Sequence, residues 1–192
     1  GLVLYGTSMA MQLRSTLGLD PWDVFHQGLS RHLTVSFGTV VALTGVAVLL
    51  LWIPLRQRPG IGTVANVIVI AISVDTALAL IPGPAGLPAR AMLLVGGIVL
   101  NGVASAAYIG ARLGPGPRDG LMTGLAARTG WSIRLVRTGI EVLVLAVGWL
   151  LGGTVGIGTV AYALAIGPLT QAFLPLFAIS PRGRTASTDG PR

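Results

Sequence analysis

Laid over itself with a shift of 96 residues and no gaps, the 192-residue chain repeats. "GIGTVA" stands at 60–65 and again at 156–161, and the opening "GLVLYG" meets "GIVLNG" at 97–102. Leu17-Gly18 meets Leu113-Gly114, Pro21-Trp22-Asp23 meets Pro117-Arg118-Asp119, and Gly28-Leu29 meets Gly124-Leu125. Over residues 1–70, 24 positions are identical to those 96 further on. Chance, in a chain so rich in Gly, Ala, Val and Leu, gives under about a tenth. Whatever this chain folds into must therefore contain one structural unit twice.

That unit belongs in a membrane. Hydrophobic residues make up 53% of the chain and charged ones 10%, with a mean hydropathy of +0.80. Soluble domains carry about 25% charged residues. Runs such as 35–55 and 62–81 can cross a hydrocarbon core, which takes about 20 helical residues. A net charge of +7 and a pI of 11.5 would also suit a nucleic-acid partner. All thirteen basic residues are Arg, however, and most flank apolar runs, where positive-inside placement puts them. The expected partner is the lipid bilayer, and no nucleic acid. With no Cys and two His, neither a metal site nor a bound cofactor is expected. The chain starts at Gly1 without a Met or a basic leader, so no signal peptide is expected.

The pattern predicts an all-α polytopic protein with spans at about 1–17, 35–55, 62–81, 89–111, 132–151 and 156–177. The segments 21–33 and 117–129 lie between spans and would reach only about 20 Å as helices, too short to cross. The repeats then occupy 1–82 and 89–178, followed by a cytoplasmic tail, 180–192, whose composition reads as disordered. Apolar residues precede Gly97 but nothing precedes Gly1, so the first span is expected to be incomplete at its start. Three crossings per copy make the second copy enter from the opposite face, so the repeats are expected to be inverted. The arginines agree. Arg56, Arg58, Arg112, Arg118, Arg128, Arg182, Arg184 and Arg192 fall on one side, and Arg14, Arg31 and Arg90 on the other. Both termini are thereby placed in the cytoplasm.

The Pro-x-Asp segments open the two short helices. Pro suits the first helical position, and Asp two residues later can reach back to the N-cap amide. Asp20 is the N-cap of the first and Gly116 of the second. Helix initiation alone accounts for Pro21, Asp23, Pro117 and Asp119. As re-entrant helices the same segments would aim their N-termini at a midplane site, and as interfacial ones they would lie on the membrane surface. Trp22, Phe25, Leu29 and Leu33 form an apolar face, as do Leu121, Leu125 and Thr129. Asp23, Gln27 and Ser30 form another.

Ionisable groups inside spans are costly in lipid. Asp75, whose counterpart is Gln171, lies within the third span and has no charge one turn away, which favours a cavity-lining role. Arg137 and Glu141 can pair on one face of the fifth span, one turn beyond Arg134. Asn66 and Asn101 read as helix glue. The stripe of Gly102, Ala106 and Gly110, echoed by Gly6 and Ala10, reads as close packing of the first span against the fourth. The glycines of "GIGTVA" permit a tight turn, with an anion nest as the functional alternative.

Taken together, "GLDPWDVFHQGLS", "FGTVVALTG", "GIGTVANVIVI", "RLGPGPRDGLMTGL" and "GIGTVAYALAIGPL" resemble the YczE/YitT-like family of bacterial integral membrane proteins. The likeness runs over about residues 1–178 and is greater to the YczE-type branch, which lacks a soluble C-terminal domain. It implies a multi-pass protein of the bacterial cytoplasmic membrane and supplies no catalytic or binding residues. The leading expectation is a transporter of an unknown small solute, with a site between the repeats near Asp23, Asp75, Arg118, Asp119, Arg137 and Glu141. The alternative is a membrane scaffold that assists a partner, as in secondary-metabolite synthesis. A homodimer or a membrane partner is compatible with both. No nucleophile–base pair or phosphate loop is visible, so no enzyme is expected.

Overall fold

The computed structural model describes residues 1–177, so the expected tail at 180–192 and the last residue of the second repeat fall outside it. Among the described residues there are eight helices and no strand. They are α1 (Leu2–Ser15), α2 (Pro21–Ser30), α3 (Phe37–Leu55), α4 (Ile61–Leu80), α5 (Gly86–Gly110), α6 (Pro117–Thr129), α7 (Ile133–Leu150) and α8 (Ile157–Phe177). A shift of 96 carries the first four onto the last four. Of the six expected spans, α3, α4, α5 and α8 are long and apolar enough to cross a membrane. Helix α1 has 14 residues, and α7 carries Arg134, Arg137 and Glu141 within its 18. The outer faces are apolar: Leu50, Ile53, Ile68, Ile72, Met92, Val95, Val160 and Leu164 are all exposed, as contact with lipid requires.

Local chemistry sets the helix starts. Asp20 Oδ1 accepts from Trp22 N at 2.9 Å and Asp23 N at 3.2 Å, with Pro21 at the first helical position of α2. Ser36 and Ser132, equivalent residues, cap α3 and α7. Asp23 and Asp119 turn to other partners instead of the N-cap amide: Asp23 meets His26, and Asp119 accepts from Tyr108.

The two halves interlock. Helix α2 packs on α3 and α7, and α6 packs on α7 and α3, so each short helix touches the third helix of both halves. The polar side of α2 is therefore covered: Trp22, Asp23, Val24, His26 and Gly28 are buried, while Phe25 and Leu29 of the expected apolar face are only half-buried. Where α6 crosses α3, the Trp52 indole lies over Gly120 and donates to Pro117 O at 3.0 Å. Where α2 crosses α7, Gly148 stands in the place of Trp52 and Val24 in the place of Gly120, so the bulk has changed sides.

The duplicated hexapeptide is part of this interlock. Gly62 N donates to Leu113 O at 2.9 Å, and Gly158 N donates to Leu17 O at 2.8 Å. Each "GIGTVA" thus grips the Leu-Gly turn of the other half, where Gly18 and Gly114 have φ of +120° and +125°. The glycines press on that backbone, which accounts for them without an anion. Helices α1 and α5 also meet: Gly1 lies on Ala104 and Tyr108, while its counterpart Gly97 lies on Ser8 and Gln12. These contacts make α1 and α5 antiparallel. The Gly102–Gly110 stripe faces elsewhere than expected, with Gly102 on Leu169 and Gly110 on Phe177 of α8. Gly6 likewise packs on Ile70 and Ser73 of α4.

Candidate functional site

The N-terminal ends of α2 and α6 come together inside the bundle, with Arg118 Nη1 3.7 Å from Asp20 Oδ1. A cavity of about 280 Å³ opens there, lined from both halves. Its walls include Tyr5 of α1, Asn66 of α4, Tyr108 of α5, and Tyr162, Thr170 and Gln171 of α8.

Four of the six residues expected at a site line this cavity: Arg118, Asp119, Arg137 and Glu141. Arg118 lies over the Trp22 ring, 5.3 Å from its centroid, and 6.0 Å from that of Tyr5, within cation–π range. Asp119 Oδ2 accepts from Tyr108 Oη at 2.7 Å. Arg137 Nε donates to Glu141 Oε1 at 2.9 Å, one turn along α7. Asp23 sits behind the wall, 1% exposed, with His26 Nδ1 at 3.1 Å from its Oδ1. Asp75 does not line the cavity. It accepts from Ser36 Oγ at 2.5 Å and Gly38 N at 2.7 Å, and so fastens α4 to the start of α3.

Two features escaped the sequence reading. Asp20, read there as a cap, also faces the cavity, and its Oδ2 is buried with no partner among the described residues. All three tyrosines of the chain, Tyr5, Tyr108 and Tyr162, line the wall, together with Trp22. The duplication held the signal, since Trp22 and Arg118 occupy one repeat position and meet near the place where the halves join. Asn101 is glue, as its burial suggests: its Nδ2 donates to Ser8 Oγ at 2.8 Å, and its Oδ1 accepts from Tyr162 Oη at 3.1 Å.

Electrostatics at the mouth of α2 are set by burial. Burial and then the adjacent Asp23 push the Asp20 carboxyl up to about 7, against the pull of Arg118. Burial also raises Asp23, again opposed by Arg118. His26 is driven down to about 3 by burial and by Arg118, so its contact with Asp23 is a hydrogen bond involving a neutral ring, not an ion pair. Two carboxyls facing one guanidinium in so dry a place favour sharing one proton.

Residues 1–175 match the family described as "Family of unknown function (DUF6198)". The chain is similar to an "Uncharacterized protein" of Haemophilus influenzae, 39% identical over 180 residues, covering 94% of this chain and 83% of that one. It is similar to the "Uncharacterized membrane protein YczE" of Bacillus subtilis, 31% identical over 178 residues, covering 91% and 82% of the two chains. The "Uncharacterized protein YyaS" of Bacillus subtilis is 24% identical over 180 residues, covering 92% of this chain and 90% of its own. No solved structure matches significantly. Match and likeness agree over almost the whole described chain, which belongs to the family of YczE-like membrane proteins described as DUF6198.

Proposed function

We propose that this protein is a small-solute transporter of the bacterial cytoplasmic membrane, built from two inverted repeats, with its termini in the cytoplasm and its solute site in the cavity. The observation that carries the reading is a polar cavity lined from both halves at the meeting of two short helix N-termini. Transporters of inverted-repeat design hold their substrates in such a place. The antiparallel course of α1 and α5, with the reciprocal contacts of Gly1 and Gly97, supports inversion. Both short helices run from the cavity outward. Arg31 and His32, past the end of α2, reach the carbonyls at the C-terminal end of α7, and Arg128 of α6 reaches Pro54 O at the end of α3. That course supports the re-entrant reading over a surface helix. The wall offers acids, guanidinium groups and phenols, which suit the binding of a polar solute.

Two measurements test this. The chain has no cysteine, so single cysteines can be placed at Leu33 and its counterpart Thr129, both exposed. In intact cells a membrane-impermeant maleimide should label Leu33→Cys and not Thr129→Cys; equal labelling of both would sink the inverted arrangement. A panel of radiolabelled amines, amino acids and organic acids should then reveal accumulation by proteoliposomes of the wild type that Asp119→Asn abolishes. Accumulation of none of them would count against transport.

A further inference from the structure

The cavity's lining narrows the class of solute, on the premise that this cavity is the transport site. Aromatic residues are 6% of the chain, yet all three tyrosines and one of four tryptophans converge here. Their π faces are the surface that attracts an ammonium group. The wall also carries more acid than base: Asp20, Asp119 and Glu141 face Arg118 and Arg137, with Asp23 directly behind. Both guanidinium groups already have partners. Arg137 is bound to Glu141, and Arg118 lies on Trp22 and Tyr5 beside Asp20. Arg118 donates no hydrogen bond among the described residues, but by charge the wall keeps one acid in excess. Asp119 has Tyr108 Oη as its hydrogen-bond partner, and Asp20, on the wall but 2% exposed, has its Oδ2 buried without a donor among the described residues. Such a carboxyl is satisfied either by the proton it shares with Asp23 or by a positive charge brought to the wall.

The geometry points to an organic cation, an amine or quaternary ammonium compound, as the solute, its charged head held between Asp119 and the rings of Tyr108 and Tyr162, with Asp20 close by in the wall. An anion would have to enter a wall that already holds more acid than base. A neutral sugar would leave the excess acid uncompensated. The cation needs no rearrangement of either ion pair.

The test is calorimetric titration of the full chain in dodecyl maltoside, a detergent with no ammonium group. The ligands are choline, tetraethylammonium, the neutral choline isostere 3,3-dimethylbutan-1-ol and the anion 3,3-dimethylbutanoate. At least one cation should bind saturably, and choline at least about ten-fold more tightly than its neutral isostere. Asp119→Asn and Tyr108→Phe should each weaken cation binding about five-fold or more, with unchanged melting behaviour. Equal affinity for the neutral isostere, tighter binding of the anion, or no saturable binding of either cation overturns the inference. The two readings fail separately. A cation that binds but is not accumulated by proteoliposomes leaves the site standing and removes transport, whereas accumulation of an acid or sugar removes the cation and leaves transport.

Discussion

Helices α3 and α4 of the first half pack tightly, while their counterparts α7 and α8 scarcely touch, and the cavity reaches the gap that results. Four positions account for the difference. Along the face of α3 toward α4 stand Gly38, Val41 and Gly45. Gly38 presses on the Ala71 carbonyl, and a Cβ on Gly45 would lie 3.0 Å from Val67 Cγ2. Asp75 then closes the seam by accepting from Ser36 and Gly38. The same positions on α7 hold Arg134, Arg137 and Glu141, and Gln171 replaces Asp75. Long charged side chains cannot enter a glycine seam, and Gly167, in the place of Ala71, has open space where a Cβ would be. Duplication thus gave one unit a seal and the other an opening, by substitutions at one helix face.

The largest effect should come from exchanging the two faces. Gly38→Arg puts a side chain into the Ala71 backbone and displaces the Asp75 contacts, a backbone-level clash with an expected cost above about 4 kcal/mol. The reciprocal Arg134→Gly, at an exposed residue, should change stability by less than about 1 kcal/mol. Thermal unfolding in detergent measures both. Similar losses in the two variants would mean that α7 and α8 do close on each other in the membrane.

A second exchange concerns the crossings, where the bulk lies in Trp52 on one side and Val24 on the other. Gly120→Val alone forces a branched side chain into the Trp52 ring and should cost about 3 kcal/mol. Adding Trp52→Gly reproduces the pairing of Val24 with Gly148 and should recover part of that loss. Further destabilisation by the second change would show that the two crossings are not equivalent in packing.

Much of this is legible in the sequence itself. The two short helices, the Asp20 cap and the pairing of Arg137 with Glu141 depend on neighbours within a turn, which a sequence displays directly. Asp75 was misleading for the opposite reason. With no charge one turn away on its own helix it looked free, and its partners, Ser36 and the Gly38 amide, lie on another helix. The Gly102 stripe showed that some helix approaches closely, but not which one, because glycine spacing has no address. The aromatic lining was hidden because Tyr5, Tyr108 and Tyr162 come from three helices and share no motif.

Asp75 and Gln171 give a milder pair. Asp75→Asn keeps the shape and removes a charge that accepts two hydrogen bonds, so it should destabilise by about 1–3 kcal/mol without altering solute binding. Gln171→Asn, on the cavity wall, should do the reverse, changing affinity and leaving the melting temperature within about 2 °C. If Asp75→Asn abolished binding while the fold stayed intact, the sealed seam would itself be part of the site.

The smallest expected effect is a pH dependence that belongs to the first half, since Asp20 has Gly116 as its counterpart. Asp20 is held up to about 7 by burial and Asp23. The groups facing it are Asp23 and His26 on α2, Arg118 and Asp119 on α6, Tyr5 on α1 and Tyr162 on α8. His26, near 3, stays neutral across the range in question, and Arg118 stays charged. A bound cation favours the ionised carboxylate, so its affinity should rise with pH through that value and level off above it. We expect about a five-fold gain for choline between pH 6 and pH 8. Proton release should accompany binding at pH 7, where part of the protein still carries the shared proton. Asp20→Asn should bind choline more weakly and with no slope over the same range. A wild type equally flat would take Asp20 out of the site and leave it a helix cap, the role its counterpart Gly116 performs with no charge at all.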